Sequence, residues 1–206
     1  MLQRVNPGHK ALADYRSIIR RELYGELQEL AGRLRGARVL HINATSFGGG
    51  VAEILYTLVP LARDAGLEVE WAIMFGAEPF FNVTKRFHNA LQGADYELTI
   101  EDRAIYEEYN RRTAQALAES GEEWDIVFVH DPQPALVREF SGGLGEGTRW
   151  IWRCHIDTST PNRQVLDYLW PYIADYDAQV YTMREYTPPG VEMPGLTLIP
   201  PAIDPL

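Results

Sequence analysis

The chain has 206 residues, 46% hydrophobic and 23% charged, which is the balance of an ordinary globular domain able to bury a core. A net charge of −10 argues against electrostatic binding to nucleic-acid phosphates or anionic lipid. No apolar run approaches the ~20 residues of a membrane span, the start MLQRVNPGHKALADYRS lacks a signal-peptide core, and the single Cys154 excludes an internal disulfide or a multi-cysteine zinc site.

A soluble, cytoplasmic protein is therefore expected, with no nucleic-acid or membrane partner. Residues 9–35 read as one N-terminal helix, with Leu12, Ile18, Ile19, Leu23, Leu27 and Leu30 near helical spacing. Arg38–Asn43 is a short β-rich run, taken as the first sheet strand. Gly48, Gly49 and Gly50 follow, and a helix is predicted over 51–65. Val69–Phe75 gives the next strand, and 79–92 and 100–119 read as helices. Trp124–Val129 is the clearest strand; 133–140 is a short helix and Arg149–Cys154 another strand. A helix over 161–174 precedes strands at Ala178–Met183 and Leu196–Ile199. About six strands alternating with helices predict an α/β fold: an open, mainly parallel, Rossmann-like sheet with helices on both faces and right-handed crossovers. Residues 1–206 read as a single domain. The proline-rich tail 200–206 reads as the entrance to a linker.

Open parallel sheets collect ligands outside the carboxyl ends of their strands, and four stretches occupy those ends. Asn43–Glu53 runs from strand through Gly48-Gly49-Gly50 into a helix, where exposed amides and the helix dipole favour an anion such as phosphate. It matches neither the GxGxxG fingerprint nor a Walker A loop, and a plain tight turn would use the same residues. Glu53, in the first helical turn, suits either the dipole or a ligand hydroxyl. His130-Asp131-Pro132-Gln133-Pro134 directly follows an apolar strand. Asp131 precedes a proline, which biases it toward extended backbone. Its carboxylate could accept from sugar hydroxyls or cap the next helix, and Gln133 is a second polar candidate. In Trp152–Ser159, strand alternation turns Cys154 and His155 to opposite sides and could place His155 and Asp157 on one side. Cys154 is expected to be buried. His130, Asp131, His155 and Asp157 lack a specific metal-ligand spacing, so no metal is assigned. In Phe80–Gly93 the apolar positions form a core face, while Lys85, His88 and Asn89 either reach the cleft or face solvent.

Together the segments HINATSFGGGVAEILYTLVPL, FFNVTKRFHNALQG, VFVHDPQPAL, WRCHIDTSTPN and IPPAIDPL, in this order, resemble the N-terminal domain of trehalose glycosyltransferring synthase, a retaining nucleotide-sugar glycosyltransferase of the GT-B fold. Retaining trehalose phosphorylase-like enzymes share the likeness. The resemblance implies a two-domain enzyme with the N-terminal half binding acceptor glucose and closing over the donor diphosphate. It implies Gly48, Gly49 and Gly50 near the donor phosphates, Asp131 and His155 as catalytic contacts to sugar, and Glu53, Gln133 and Asp157 as further substrate-binding candidates. The expected ligands are glucose or trehalose and a nucleotide-glucose donor, with no cofactor in this chain and a magnesium ion as an option in the complete enzyme. A C-terminal donor-binding domain, in cis or in trans, is the implied partner, because the basic donor-phosphate residues and the acidic ribose contact expected in that domain are not in this sequence. The isolated chain is accordingly expected to be inactive. The alternatives are a phosphorylase-like half, a non-catalytic sugar- or nucleotide-binding module, or a dinucleotide enzyme; the missing GxGxxG weighs against the last.

Overall fold

A computed structural model describes residues 2–206. Seven strands make one sheet: β1 (Gln3–Arg4), β2 (Arg38–Asn43), β3 (Glu68–Ile73), β4 (Ile126–His130), β5 (Arg149–Cys154), β6 (Ala178–Tyr181) and β7 (Leu196–Leu198). Their order is β1-β3-β2-β4-β5-β6-β7. Strands β2 to β7 are mutually parallel, and only β1 runs antiparallel, against β3. The helices between them are α1 (Arg21–Arg33), α2 (Gly50–Asp64), α3 (Glu78–Leu91), α4 (Ile100–Glu119), α5 (Val137–Phe140) and α6 (Arg163–Ala174).

Strand alternation divides the core between the two faces. Leu40 and Ile42 of β2, Val127 and Val129 of β4, and Trp150, Trp152 and Cys154 of β5 join the larger core with residues of α3, α4, α5 and α6. Val39, Val69 and Trp71 pack on the other face against Ala52, Leu55 and Val59 of α2. The in-between positions on that second face include His41 and Phe128, which are register partners. Arg153 is paired in register with His130. Polar groups are thus threaded through the face that α2 covers.

The structure departs from expectation in a few elements. The helix over 9–35 is broken into a 3₁₀ turn at Leu12–Ser17 and α1, with Arg20 extended between them. Tyr15 is buried and donates its hydroxyl to Asp204, at 2.7 Å, which fixes the first turn independently of the second. Ile18, Leu23, Leu27 and Leu30 stay exposed, so their helical spacing does not mark a core face. The helix over 133–140 contracts to α5, and the residues before it form tighter turns in which the Ala135 amide donates to the Pro132 carbonyl and the Val137 amide to the Pro134 carbonyl. Strand β1 was not foreseen, since two residues are too few to show alternation. The tail 200–206 has no regular structure but is held by Asp204, which accepts from Tyr15 and Thr57 and pairs with Lys10.

Candidate active site

The carboxyl ends of β2, β4, β5 and β6 open on one cavity of about 590 Å³, a volume suited to a small polar ligand. Its wall takes Asn43 from β2, Gly48, Gly49 and Gly50 from the loop into α2, His130, Asp131 and Gln133 from the end of β4, His155 from the end of β5, and Thr182 and Met183 beyond β6. His88 of α3 and Pro201 of the tail complete the rim. Another hollow, of about 510 Å³, lies between α4 and α6 against Arg103, Asp167 and Tyr168, away from the strand ends.

Asp131 is the most constrained residue in this wall. It is buried, and its φ of 62° puts a non-glycine residue in the left-handed region, where extended backbone was expected before Pro132. Three bonds hold it there. Its amide donates to the Arg153 carbonyl at 2.9 Å, its carbonyl accepts from the Trp152 indole at 3.0 Å, and its carboxylate accepts the His155 amide at 2.7 Å. The carboxylate therefore ties β4 to β5 and does not cap the turn that follows. Strain kept in place by surrounding bonds is typical of functional positions. Burial pushes the Asp131 carboxyl up to about 6, against the opposing pull of the His155 amide and the Arg153 charge.

Three histidines cross the sheet beside it. His41 Nδ1 lies 2.9 Å from His130 Nε2, and His130 Nδ1 lies 3.0 Å from His155 Nε2. His41 also stacks on Phe128, with ring centroids 4.9 Å apart. Burial, with the nearby Arg153 guanidinium, depresses His41 to about 3 and His155 to about 4. His130, between them, is held well below its ordinary value by burial and by the charges of His41, His155 and Arg153. At neutral pH all three rings are neutral.

The glycine loop supplies a different chemistry. The amides of Gly48, Gly49 and Gly50 make no hydrogen bond within the described residues, and α2 begins at Gly50. They are free donors at a helix start, on the wall that also carries Asp131 and His155. A Cβ at Gly48 would meet nothing within 4 Å, but its φ of 69° penalises any side chain. Gly48→Ala should therefore cost about 1–2 kcal/mol of stability without a steric clash, read as a melting-temperature fall of a few degrees.

The cavity thus gathers Gly48, Gly49, Gly50, Asp131, Gln133 and His155. Glu53 is exposed on α2 and outside the wall, and the Asp157 carboxylate accepts the Ser159 amide, also outside it. Of the residues read as either cleft or solvent, His88 reaches the cavity and Lys85 and Asn89 face solvent. Cys154 is buried. His41 and Arg153 had not been singled out. The signal for His41 was its period-2 register behind Asn43, and for Arg153 a charge flanked by the apolar Trp152 and Cys154 inside a strand. Among the described residues no group of three or more His, Cys, Asp or Glu side chains could hold a metal ion. Of the cavity-wall histidines in the row, His130 spends both ring nitrogens on its neighbours and His155 one, and Asp131 alone offers carboxylate oxygen, so this wall does not fit the oxygen-rich shell of magnesium.

A family model described as trehalose synthase, N-terminal domain, matches residues 41–188. The chain belongs to the trehalose synthase family. It is 44% identical over 200 residues to a trehalose synthase of Pyrococcus horikoshii, covering 97% of this chain and 47% of that protein. It is 43% identical over 198 residues to a trehalose synthase of Thermococcus litoralis, covering 96% and 47%. The chain thus spans about half the length of these trehalose synthase relatives. Among solved structures it resembles trehalose-6-phosphate from E. coli bound with UDP-2-fluoro glucose, with a TM-score of 0.55 and 16% identity over 72% of this chain and 40% of that one. It also resembles the UDP-forming α,α-trehalose-phosphate synthase of Burkholderia xenovorans in complex with glucose-6-phosphate, with a TM-score of 0.51 and 18% identity over 72% and 41%. These likenesses place the trehalose synthase domain in the GT-B fold, as its N-terminal Rossmann-like half.

Proposed function

We propose that this domain is the acceptor-side half of a retaining glycosyltransferase that joins glucose from a nucleotide-glucose donor to glucose, forming trehalose. The observation that carries the reading is the convergence, in one cavity, of free glycine-loop amides with Asp131 and His155. The amides suit the donor's diphosphate. Asp131 accepts from sugar hydroxyls, and His155 donates or accepts through Nδ1, the ring nitrogen that His130 leaves free. The family supports the same reading, because the relatives it matches are trehalose synthases. The UDP-2-fluoro glucose and glucose-6-phosphate bound by its structural neighbours are ligands of the class proposed here.

The mechanism assigned to this chain is positioning and electrostatics. Asp131 and His155 fix one hexose against the wall and balance charge that develops near the anomeric carbon. The Gly48–Gly50 amides neutralise part of the leaving diphosphate. A donor-binding half, in cis or in trans, supplies the remaining diphosphate contacts, and no resident cofactor is assigned to this chain. Missing contacts of that kind cost several kcal/mol in the transition state, and each ~1.4 kcal/mol is tenfold in rate.

The expected result for the 206-residue chain is weak binding of glucose and of nucleotide-glucose with negligible trehalose formation. Titration calorimetry with glucose, trehalose, nucleotide-glucose and NAD, alongside a trehalose assay, checks both parts. Robust synthesis by the isolated chain would refute the half-enzyme reading. Selective NAD binding would refute the sugar site itself.

A further inference from the structure

His41 lies outside the cavity wall, yet it is bonded through His130 to His155, which lines it. His41 and His130 are 5% and 2% exposed, so neither ring exchanges its partner for bulk water. A neutral imidazole carries one N–H and one lone pair. Because the bonds run Nδ1 to Nε2 and again Nδ1 to Nε2, the three rings have two self-consistent arrangements. If His41 donates from Nδ1, His130 must donate from its own Nδ1, and His155 is left with its proton on Nδ1. If His155 donates from Nε2, His130 must donate from Nε2, and His41 carries its proton on Nε2. The row is all-δ or all-ε.

We propose that His41 is a positioning residue, acting through His130 as a tautomer relay that decides whether His155 offers the cavity a hydrogen-bond donor or an acceptor. The all-δ row presents an Nδ1–H, which suits a sugar oxygen that gains negative charge. The all-ε row presents a bare Nδ1, which suits a sugar hydroxyl that donates. A ligand that selects one form at His155 moves a proton at His41, two strands away. An imidazolium at His130 would break the relay by donating both ways, and burial beside Arg153 opposes that charge. The use of the relay rests on the sugar-site reading; its existence does not.

The test is nitrogen-15 NMR of the ring nitrogens in the histidine-labelled 206-residue chain at pH 8, without ligand. The chain has five histidines, and substitution assigns each signal. The expected spectrum shows His41, His130 and His155 in one shared tautomer. His41→Phe keeps a ring against Phe128 and removes one bond from the row. It should change the δ to ε ratio of His155 by about threefold or more, because His130 Nε2 is left unpaired as a buried N–H in the all-ε row and as a bare nitrogen in the all-δ row, and the two differ in desolvation cost. Opposite tautomers at His41 and His155 in the unaltered protein overturn the proposal, as does an unchanged His155 ratio in folded His41→Phe. The measurement on the unaltered chain decides even if that variant does not fold. Failure of sugar binding with a shared tautomer intact would count against the proposed function alone.

Discussion

Asp131→Asn, in a trehalose synthase that carries this domain together with its donor-binding half, is expected to lower turnover by roughly 10²–10³-fold, the scale of losing one preorganised electrostatic contact. The same change should raise stability at pH 8. Burial lifts the Asp131 carboxyl to about 6, so keeping it ionised at pH 8 costs the fold about 3 kcal/mol relative to an ordinary carboxylate. An asparagine oxygen can still accept the His155 amide, and asparagine tolerates a positive φ well. A gain of about 1–3 kcal/mol at pH 8 should follow. Because the folded pKa is raised, this gain shrinks as pH falls through 6 and is gone below the unfolded value. Turnover at pH 8, with denaturant melts at pH 8 and pH 4, separates the two effects. A variant that loses stability and turnover together at pH 8 would show that Asp131 serves packing.

The second large effect is acid sensitivity. His41, His130 and His155 all have folded pKa values below the unfolded value near 6.5. The unfolded chain therefore binds three more protons than the fold as pH drops below 6.5, and stability falls by about 1.4 kcal/mol per pH unit for each. Asp131 runs the other way between about 6 and its unfolded value, and it offsets one of the three. The net expectation is a fall of about 2–3 kcal/mol per pH unit between pH 6 and pH 4, enough to use up much of a domain's ordinary stability. The lowered pKa of Asp102 and Asp177 adds to this only at more acid pH. Equilibrium melts across pH 4–8 measure the slope, and His41→Phe should flatten it by about one proton. A flat profile would mean that these rings are not held neutral in the fold.

Much of the frame was legible because parallel strands buried on both faces leave strong apolar runs. Trp124–Val129 and Arg149–Cys154 are examples, and their ends pointed to Asp131 and His155. Other features depend on contacts that spacing does not encode. The row from His41 to His155 forms only when β2, β4 and β5 lie side by side, and no local pattern links residues 41, 130 and 155. The left-handed turn at Asp131 runs against the local preference before proline and exists because β5 supplies two partners and His155, just after it, a third. The break before α1 depends on Tyr15 meeting Asp204, 189 positions away. Glu53 shows the reverse case. Its place in the first turn of α2 was plain in the sequence, but the helix rotation that carries it outside the cavity wall was not.

The two chemistries of the cavity also differ in when their conformational entropy is lost. The histidine row is fixed by ring-to-ring bonds and by strand pairing, so its rotamer freedom is given up when the sheet forms. A ligand that touches only this wall meets groups already in place and carries little ordering cost. Gly48, Gly49 and Gly50 have open space around every missing Cβ and no internal partner for their amides, and glycine has the most backbone freedom to lose. A ligand that recruits this loop bears that ordering cost at the moment of binding. Sugar and diphosphate should thus leave different calorimetric marks on one cavity, with the heavier entropic penalty falling to the diphosphate.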